Sequence, residues 1–166
     1  WKVTTNKKKV FLTPNIIIAG GVGSFEPRKF SLKEAEQFED NGVYYSVKDK
    51  NYFKNKKILI FGGGDSALDW AIYFSKTAQK VTLVHRRSSF RGHLDSVETV
   101  NKLAKNGKID LITESEVFKL EGVNDLQKIF IKNKNNEFHS LKTDFWFPLF
   151  GLVPKLGPIK DWGLNL

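Results

Sequence analysis

The stretch Lys57-Ile-Leu-Ile-Phe-Gly-Gly-Gly-Asp-Ser-Ala67 decides the fold, because it predicts a strand, a glycine turn and the start of a helix. Gly62, Gly64 and Ala67 match the dinucleotide-binding pattern G-x-G-x-x-G/A. In that pattern the first glycine permits a tight turn, the second lets the backbone approach a pyrophosphate, and the small third residue lets helix and strand pack closely. The amide N–H groups that open the helix then face the anion, and the helix dipole favours its negative charge.

The residues around these glycines supply the context that a lone glycine pattern lacks. Ile58 to Phe61 is apolar and β-prone, as a buried parallel strand is. A helix is predicted to continue to Lys76, with an apolar face made of Ala67, Leu68, Ala71, Ile72 and Phe74. Val81 to Val84 is a second apolar run and predicts the next strand. The stretch therefore indicates one strand–turn–helix–strand unit of a parallel α/β sheet.

Positive charges follow the second predicted strand, where an NAD-binding domain carries an acidic residue for the ribose 2′-hydroxyl about 20 residues after the glycines. His85, Arg86 and Arg87 stand at this point, and Arg91 follows. Cations there suit a 2′-phosphate, so the sequence predicts NADP as the cofactor. The alternative interpretation is a structural glycine turn followed by a solvated basic loop.

Arginine is rare in this chain, and its distribution sharpens the prediction. The chain has four arginines, and three of them lie between residues 86 and 91, whereas lysine is scattered. Arginine presents a planar fork of donors that suits phosphate oxygens, and lysine is a point charge. The cluster therefore indicates a need for the fork at this point. The fourth, Arg28, stands apart, and a solvated surface position is predicted for it.

Composition excludes several kinds of chemistry. The 166 residues include no cysteine, which excludes disulfides, thiolate metal sites and dithiol redox chemistry within the chain. Three scattered histidines disfavour a zinc or haem site, so no metal ligand is predicted. No apolar run approaches the ~20 residues of a membrane span, and no signal peptide is visible. We therefore expect a cytoplasmic location and no membrane partner.

The net charge of +9 is compatible with three kinds of surface. A solvated lysine-rich surface is favoured, because the lysines are spread along the chain and often mixed with asparagine. An acidic protein partner is the second interpretation. Nucleic acid is disfavoured as a partner, because no nucleic-acid-binding motif accompanies the charge.

Alternating apolar and polar residues predict further elements. In chain order these are a hairpin over residues 1–12, a buried strand over Ile16–Ala19, an extended segment over Gly42–Ser46, a helix over Leu94–Lys105, a strand over Ile109–Thr113, three antiparallel strands over residues 115–141 and an aromatic strand over Asp144–Phe150. The predicted fold class is α/β: a Rossmann-like parallel sheet with a three-stranded antiparallel β-meander.

Four longer motifs stand out: Ile18-Ala-Gly-Gly-Val-Gly-Ser-Phe-Glu-Pro-Arg28, Gly62-Gly-Gly-Asp-Ser-Ala-Leu-Asp-Trp70, His85-Arg-Arg-Ser-Ser-Phe-Arg91, and Pro148-Leu-Phe-Gly-Leu-Val-Pro154 with Leu156-Gly-Pro158. Over nearly the whole chain, these motifs closely resemble the thioredoxin-reductase-like ferredoxin–NADP⁺ reductases. Members of that family carry an FAD domain that is split around an inserted NADP domain. The resemblance thus implies a fold of the FAD/NAD(P)-binding type.

The resemblance also implies a division of the chain. Residues 1–26 correspond to a remnant of the FAD domain and a connector, 27–150 to the NADP-binding domain, and 151–166 to a connector and the start of the second FAD segment. Both ends of the sequence are accordingly expected to lie inside a longer protein. The FAD motif that the family carries near its N-terminus is not in this sequence.

Roles for individual residues come from the resemblance. It implies that the turn at Gly62 and the residues Gly63, Gly64, Asp65 and Ser66 hold the pyrophosphate, and that His85, Arg86, Arg87 and Arg91 hold the 2′-phosphate. Residues 20–23 are expected where flavin and nicotinamide meet. The whole enzyme would use NADP and FAD, exchange electrons with ferredoxin or flavodoxin, and form a homodimer. No catalytic residue is nominated, because the cofactors carry the chemistry of hydride transfer.

Two alternatives remain open at the level of sequence. One is the NADP-binding domain of another thioredoxin-reductase-like flavoprotein with a different electron acceptor. The other is a stand-alone NADP-binding module without catalysis. A dithiol reductase of this superfamily would carry Cys-x-x-Cys before the glycine-turn strand, where this chain has Tyr45-Ser-Val-Lys48. That difference favours the ferredoxin reductase branch over thioredoxin reductase.

Overall fold

The structure, a computed structural model, describes residues 1–19, 24–155 and 157–163. Three α-helices and eleven strands are defined in this part of the chain. In chain order they are β1 (Lys2–Thr4), β2 (Val10–Leu12), β3 (Ser24–Pro27), α1 (Lys33–Gln37), β4 (Lys57–Phe61), α2 (Asp65–Phe74), β5 (Lys80–Val84), α3 (Leu94–Lys105), β6 (Asp110–Ile112), β7 (Ser115–Gly122), β8 (Leu126–Asn133), β9 (Phe138–Lys142), β10 (Phe145–Pro148) and β11 (Leu152–Lys155). Short 3₁₀ turns cover Lys50–Phe53 and Gly157–Asp161.

A four-stranded parallel sheet forms the centre of the fold, in the order β10-β4-β5-β6. Ile60 of β4 pairs with Phe147 of β10 on one side and with Leu83 of β5 on the other. Both neighbours are parallel to β4, so the predicted strand–turn–helix–strand unit and the parallel sheet are confirmed. The parallel sheet and the meander together confirm the predicted α/β class.

The central strands β4 and β5 are apolar over most of their length because each face of the sheet is covered. Ile58 and Ile60 belong to the core that α2 and α3 cover, where Phe74 and Val100 are fully buried. Leu59 belongs to a second core on the opposite face. Successive side chains of a strand point to opposite faces, so β4 contributes alternately to the two cores.

The second core is built against the meander. Strands β7, β8 and β9 pair in antiparallel order, as predicted. Ile129 and Ile131 of β8 are buried in the core that also holds Leu59 and Trp146. The meander therefore replaces a helical layer on this side of the parallel sheet. Its connection also returns the chain to β10, which lies beside β4.

One predicted element is wrong, and another is confirmed only in part. Ile16–Ala19 was expected as a buried strand, but it has no regular secondary structure, and Ile17 is 92% exposed. No described strand pairs with this run, so no neighbouring strand buries its apolar side chains. Gly42–Ser46 was expected to be extended, but only Val43 makes isolated bridges there, to Glu39 and Trp146. The helix over Leu94–Lys105 and the hairpin of β1 and β2 are confirmed.

The chain divides into two compact units. One comprises residues 27–153 and contains the parallel sheet, the three helices and the meander. The other comprises residues 1–26 and 154–166, and among its described residues it contains the β1–β2 hairpin and an ion pair between Lys155 and Glu26. In the described part of the chain, no helix combines the length and the apolar character that crossing a membrane requires.

Candidate functional site

A cavity of about 640 Å³ opens at the carboxyl end of the parallel sheet, within the unit of residues 27–153. Residues 62–67 follow β4, residues 85–87 follow β5, and residues 149–151 follow β10, and all three segments line it. Residues 28–31 and 115–117 complete the wall. Ligands of open α/β sheets bind at this edge, because the loops that follow parallel strands converge there.

The glycine turn brings bare backbone to the cavity. A Cβ atom on Gly62 would lie 2.6 Å from the Leu149 carbonyl oxygen and 2.7 Å from the Ala67 Cβ, so only glycine fits at this close approach. Gly64 is the opposite case, because no described atom beyond its two chain neighbours lies within 4 Å of the position that its Cβ would take. The backbone at Gly64 is therefore open to the cavity that it lines.

Four successive amide donors at this turn are free to bind an anion. The backbone N–H groups of residues 63–66 have no hydrogen-bond acceptor among the residues that the structure describes. Helix α2 begins at Asp65, so its N-terminal N–H groups and its dipole are directed to the same place. A turn with free donors at a helix N-terminus is the arrangement that binds pyrophosphate in dinucleotide-binding folds.

His85 lies beneath this turn rather than projecting beside the arginines. A Cβ on Gly63 would overlap the His85 imidazole, so the ring fills the space directly against the Gly63 backbone. The ring is 8% exposed and stacks on Phe90 at a centroid distance of 5.2 Å. Its Nε2 lies 3.1 Å from the Ser89 carbonyl oxygen, to which it must donate.

Burial lowers the pKa of His85 below its ordinary range, because the charged imidazolium loses hydration. The hydrogen bond to the Ser89 carbonyl acts in the opposite direction. The positive charges of Arg87, Arg86 and Arg91 lower the pKa further. His85 is therefore neutral near pH 7 and supports the turn as a packed, hydrogen-bonded ring.

All four arginines of the chain line this one cavity. Arg86, Arg87 and Arg91 are exposed there. Arg28 lines it as well and is exposed, as expected for a solvated side chain, but it does not stand apart from the other three. None of the four forms an ion pair with a carboxylate in the described part of the chain. The rarity of arginine was the signal that could have included Arg28, although residue 28 is distant in sequence.

The arginine loop, defined here as residues 86–93, is tied to the glycine turn by backbone and side-chain contacts. The Arg91 N–H donates to the Gly63 carbonyl at 2.7 Å. The His93 N–H donates to the Asp65 carboxylate at 2.7 Å. Sequence reasoning gave Asp65 to the pyrophosphate site only and missed this contact. Asp69, by contrast, accepts a long 3.4 Å bond from the Ser96 hydroxyl.

Apolar side chains also line the cavity. Phe30 and Phe150 lie with ring centroids 5.5 Å apart, and Phe61 and Val117 are also at the lining. The cavity thus combines amide donors, guanidinium groups and flat apolar surface. A nucleotide presents the matching features, which are phosphates and planar rings. The predicted flavin–nicotinamide contact at residues 20–23 lies outside the described residues.

The chain is similar to known proteins over its whole length. The family model described as pyridine nucleotide-disulphide oxidoreductase matches residues 1–165. A ferredoxin–NADP reductase of Pelagibacter ubique is 52% identical over 166 residues, which are 100% of this chain and 49% of that protein. A ferredoxin–NADP reductase of Thermus thermophilus is 41% identical over an alignment of 167 positions that covers 100% of this chain and 50% of that protein. The chain therefore spans about half the length of the curated relatives it matches.

Solved structures of related proteins share the fold. The thioredoxin reductase of Lactococcus lactis in its FR conformation matches with a TM-score of 0.79 and 32% identity, over 98% of this chain and 52% of that one. The thioredoxin reductase of T. acidophilum matches with a TM-score of 0.76 and 23% identity, over 86% of this chain and 46% of that one, which shows likeness of fold alone.

Proposed function

Because this chain belongs to the pyridine nucleotide-disulphide oxidoreductase family, we propose that it is the NADP(H)-binding part of a flavin-dependent ferredoxin–NADP⁺ reductase. The observation that carries the proposal is the convergence of four arginines and a turn of free amide donors on one cavity. The relatives named ferredoxin–NADP reductase support the same reaction class.

The residues of the cavity fit the phosphates of NADP. The free N–H groups of residues 63–66 would hold the pyrophosphate, and the open backbone at Gly64 leaves space for it. Arg86, Arg87 and Arg91 would hold the 2′-phosphate, since guanidinium forks match its oxygen atoms. No acidic residue follows β5 directly, so nothing at this point favours NAD over NADP.

The neutral His85 is given a supporting role in this proposal. Its buried ring lies between Gly63 and Phe90, so it positions the turn and the start of the arginine loop. It would contribute packing and a hydrogen bond rather than charge. This differs from the direct phosphate contact that the family resemblance implied.

Bound NADPH would supply a hydride from its nicotinamide ring, which flavin accepts in this family. Residues of this chain would bind and orient the nucleotide. Proton transfer by a side chain is not required for hydride transfer, so no catalytic residue is assigned. FAD is proposed as a cofactor of the whole enzyme.

We assign residues 27–150 to the NADP-binding domain, and residues 1–26 and 151–166 to connectors and FAD-domain segments. The division of the chain near residues 27 and 153 supports this assignment. Ferredoxin or flavodoxin would be the electron partner of the whole enzyme, which we expect to be a cytoplasmic homodimer. The positive net charge suits an acidic carrier protein.

Calorimetric titration of this chain with NADP⁺ and NAD⁺ tests the proposal. NADP⁺ is expected to bind on the order of 100-fold more tightly than NAD⁺, because its 2′-phosphate accepts two or three charge-assisted hydrogen bonds. Screening by salt reduces the contribution of each bond. Equal affinity for the two nucleotides would contradict the assignment of the arginines. A titration with 2′,5′-ADP tests the adenosine side of the site separately from the nicotinamide side. This ligand carries the 2′-phosphate and lacks the nicotinamide, so it should retain most of the affinity that the 2′-phosphate contributes.

Disulfide reduction by a dithiol within this domain is not favoured. The similar Lactococcus lactis protein is a thioredoxin reductase, whereas the present chain contains no cysteine. A dithiol needs two thiols close to each other. If the whole enzyme reduced thioredoxin as fast as ferredoxin with NADPH as donor, the ferredoxin reductase proposal would be wrong.

A further inference from the structure

Asp65 carries a negative charge at the place where the proposed pyrophosphate binds. It is the first residue of α2, it is exposed, and it lines the cavity. Glu116 is the other acidic residue of that lining. A carboxylate beside a phosphate raises the free energy of the bound state by repulsion. The charge of Asp65 therefore weakens binding of the pyrophosphate, and a favourable contact of its carboxylate is needed to offset this cost.

The contact that Asp65 makes is with the start of α3. The His93 N–H donates to Asp65 Oδ1 at 2.7 Å. His93 is the N-cap residue of α3 and caps it with no side-chain hydrogen bond of its own. The Asp65 carboxylate therefore supplies an acceptor at this helix end from 28 residues earlier in the chain. A hydrogen bond from a backbone N–H to a charged carboxylate is among the stronger kinds in proteins.

The residues next to His93 are held against the same turn. Arg91 N–H donates to the Gly63 carbonyl at 2.7 Å. A Cβ on Gly92 would lie 2.5 Å from Leu68 Cδ1 and 3.0 Å from Asp65 Oδ1, so the loop approaches as closely as glycine permits. Three consecutive residues, 91–93, are thus fixed to the turn and to the first residues of α2.

The other two arginines of the loop are positioned by different contacts. His85 N–H donates to the Ile112 carbonyl at 2.8 Å, and Ser115 N–H donates to the His85 carbonyl at 3.2 Å. Arg86 and Arg87 follow directly from this sheet-bound residue. Their backbone is therefore placed by β5 and β6, whereas the backbone of Arg91 is placed by the turn and Asp65.

We propose that Asp65 is a positioning residue for NADP specificity: its carboxylate holds residues 91–93 against the glycine turn, so that the Arg91 guanidinium meets the 2′-phosphate. This inference rests on the proposed function. It gives Asp65 a hydrogen-bonding role toward the loop and an unfavourable charge toward the pyrophosphate. Two substitutions separate these effects, because Asp65→Asn removes the charge and keeps an oxygen acceptor, whereas Asp65→Ala removes both.

The experiment measures dissociation constants of NADP⁺ and NAD⁺ by calorimetry for the chain and its variants. Asp65→Ala is expected to weaken NADP⁺ on the order of tenfold, the scale of one misplaced charge-assisted contact, and to leave NAD⁺ unchanged or tighter. Asp65→Asn is expected to keep the NADP⁺ preference. Circular dichroism confirms folding. If Asp65→Ala does not fold, Asp65→Glu, which displaces the acceptor by one methylene, is expected to show the same selective loss.

A double-mutant cycle identifies the arginine through which Asp65 acts. In an Arg91→Ala background, Asp65→Ala should cost little further NADP⁺ affinity. In an Arg86→Ala background, Asp65→Ala should reduce NADP⁺ affinity by the full tenfold. Full additivity with Arg91→Ala, an Asn variant that behaves like the Ala variant, or equal losses for NADP⁺ and NAD⁺ would each overturn the inference. Unaltered protein without preference for NADP⁺ would instead refute the proposed function.

Discussion

The imidazole of His85 occupies the space that a side chain on residue 63 would need, so Gly63 and His85 constrain each other. The contact links the turn after β4 to the first residue after β5. It explains why two adjacent glycines of the same turn have different requirements. Gly63 has no room on the protein side, whereas Gly64 has open space.

Alanine substitution at these two glycines should therefore affect different properties, fold stability at Gly63 and nucleotide affinity at Gly64. Gly63→Ala should destabilise the fold by roughly 1–3 kcal/mol, because the methyl group overpacks against His85. Gly64→Ala should cost less than about 1 kcal/mol of stability, since alanine is only a poorer helix N-cap, but should weaken NADP⁺ and NAD⁺ alike. Urea denaturation and calorimetry measure the two quantities. A Gly63→Ala protein as stable as the parent would contradict the packing described here.

Removal of the paired arginines should remove the 2′-phosphate preference. Arg86→Ala combined with Arg87→Ala is expected to weaken NADP⁺ on the order of 100-fold, with NAD⁺ nearly unchanged. The effect should shrink as salt is raised, because both side chains are exposed. Lys80→Ala, at an exposed lysine paired with Asp110 outside the cavity, is a control for the removal of a positive charge elsewhere on the surface. Equal losses for both nucleotides would show that these arginines serve another part of the ligand.

Arg28 should contribute to nucleotide affinity although it lies far from the other arginines in sequence. Arg28→Ala is expected to reduce NADP⁺ affinity by about three- to tenfold, which is a charge-assisted contact discounted for exposure. The neighbouring Lys29 pairs with Glu39 at 2.7 Å, so Lys29→Ala should have a smaller effect and provides the control. If the Arg28 variant and the parent chain bind NADP⁺ with similar affinity, Arg28 is a solvated surface residue that does not contact the nucleotide.

Stability should fall in mild acid because of His85. Its pKa is lower in the folded protein than in the unfolded chain, where it is near 6.5. The contribution of His85 to the free energy of unfolding is therefore present above pH 6.5. It is lost as pH falls from 6.5 toward the lower pKa of the folded protein. The slope from this one group can reach at most about 1.4 kcal/mol per pH unit. Denaturation of the parent and of His85→Gln between pH 7.5 and 5 should show a shallower dependence in the variant. Parallel curves would exclude His85 as the source.

The chain alone should bind NADP⁺ without carrying stoichiometric flavin. In the proposed assignment, only the short segments 1–26 and 151–166 belong to the connectors and the FAD domain. In the resembling family, the flavin site is built mainly by the FAD domain and not by the NADP domain. The purified chain should be colourless, and it should not oxidise NADPH with an artificial acceptor. A yellow protein with one FAD per chain, or turnover without added flavin, would show that the proposed domain boundaries are misplaced.

The features that could be predicted from sequence are those with local causes. Glycine spacing and the apolar run at Ile58–Phe61 predicted the strand and turn. Helical periodicity predicted Leu94–Lys105 at its observed bounds. The same reasoning failed for Ile16–Ala19, because burial of an apolar run depends on a neighbouring strand and not on the run itself.

The amino-acid sequence by itself determined the fold class, the position of the glycine turn and the arginine cluster, because each depends on residues close together in the chain. Only the tertiary structure decided that Arg28 lines the same cavity, that His85 lies beneath Gly63, and that Asp65 holds His93. These three relationships join segments separated by 22 or more positions, and no local pattern encodes such distances. They arise because the carboxyl ends of parallel strands converge at one edge of the sheet, where the loops of separate segments meet.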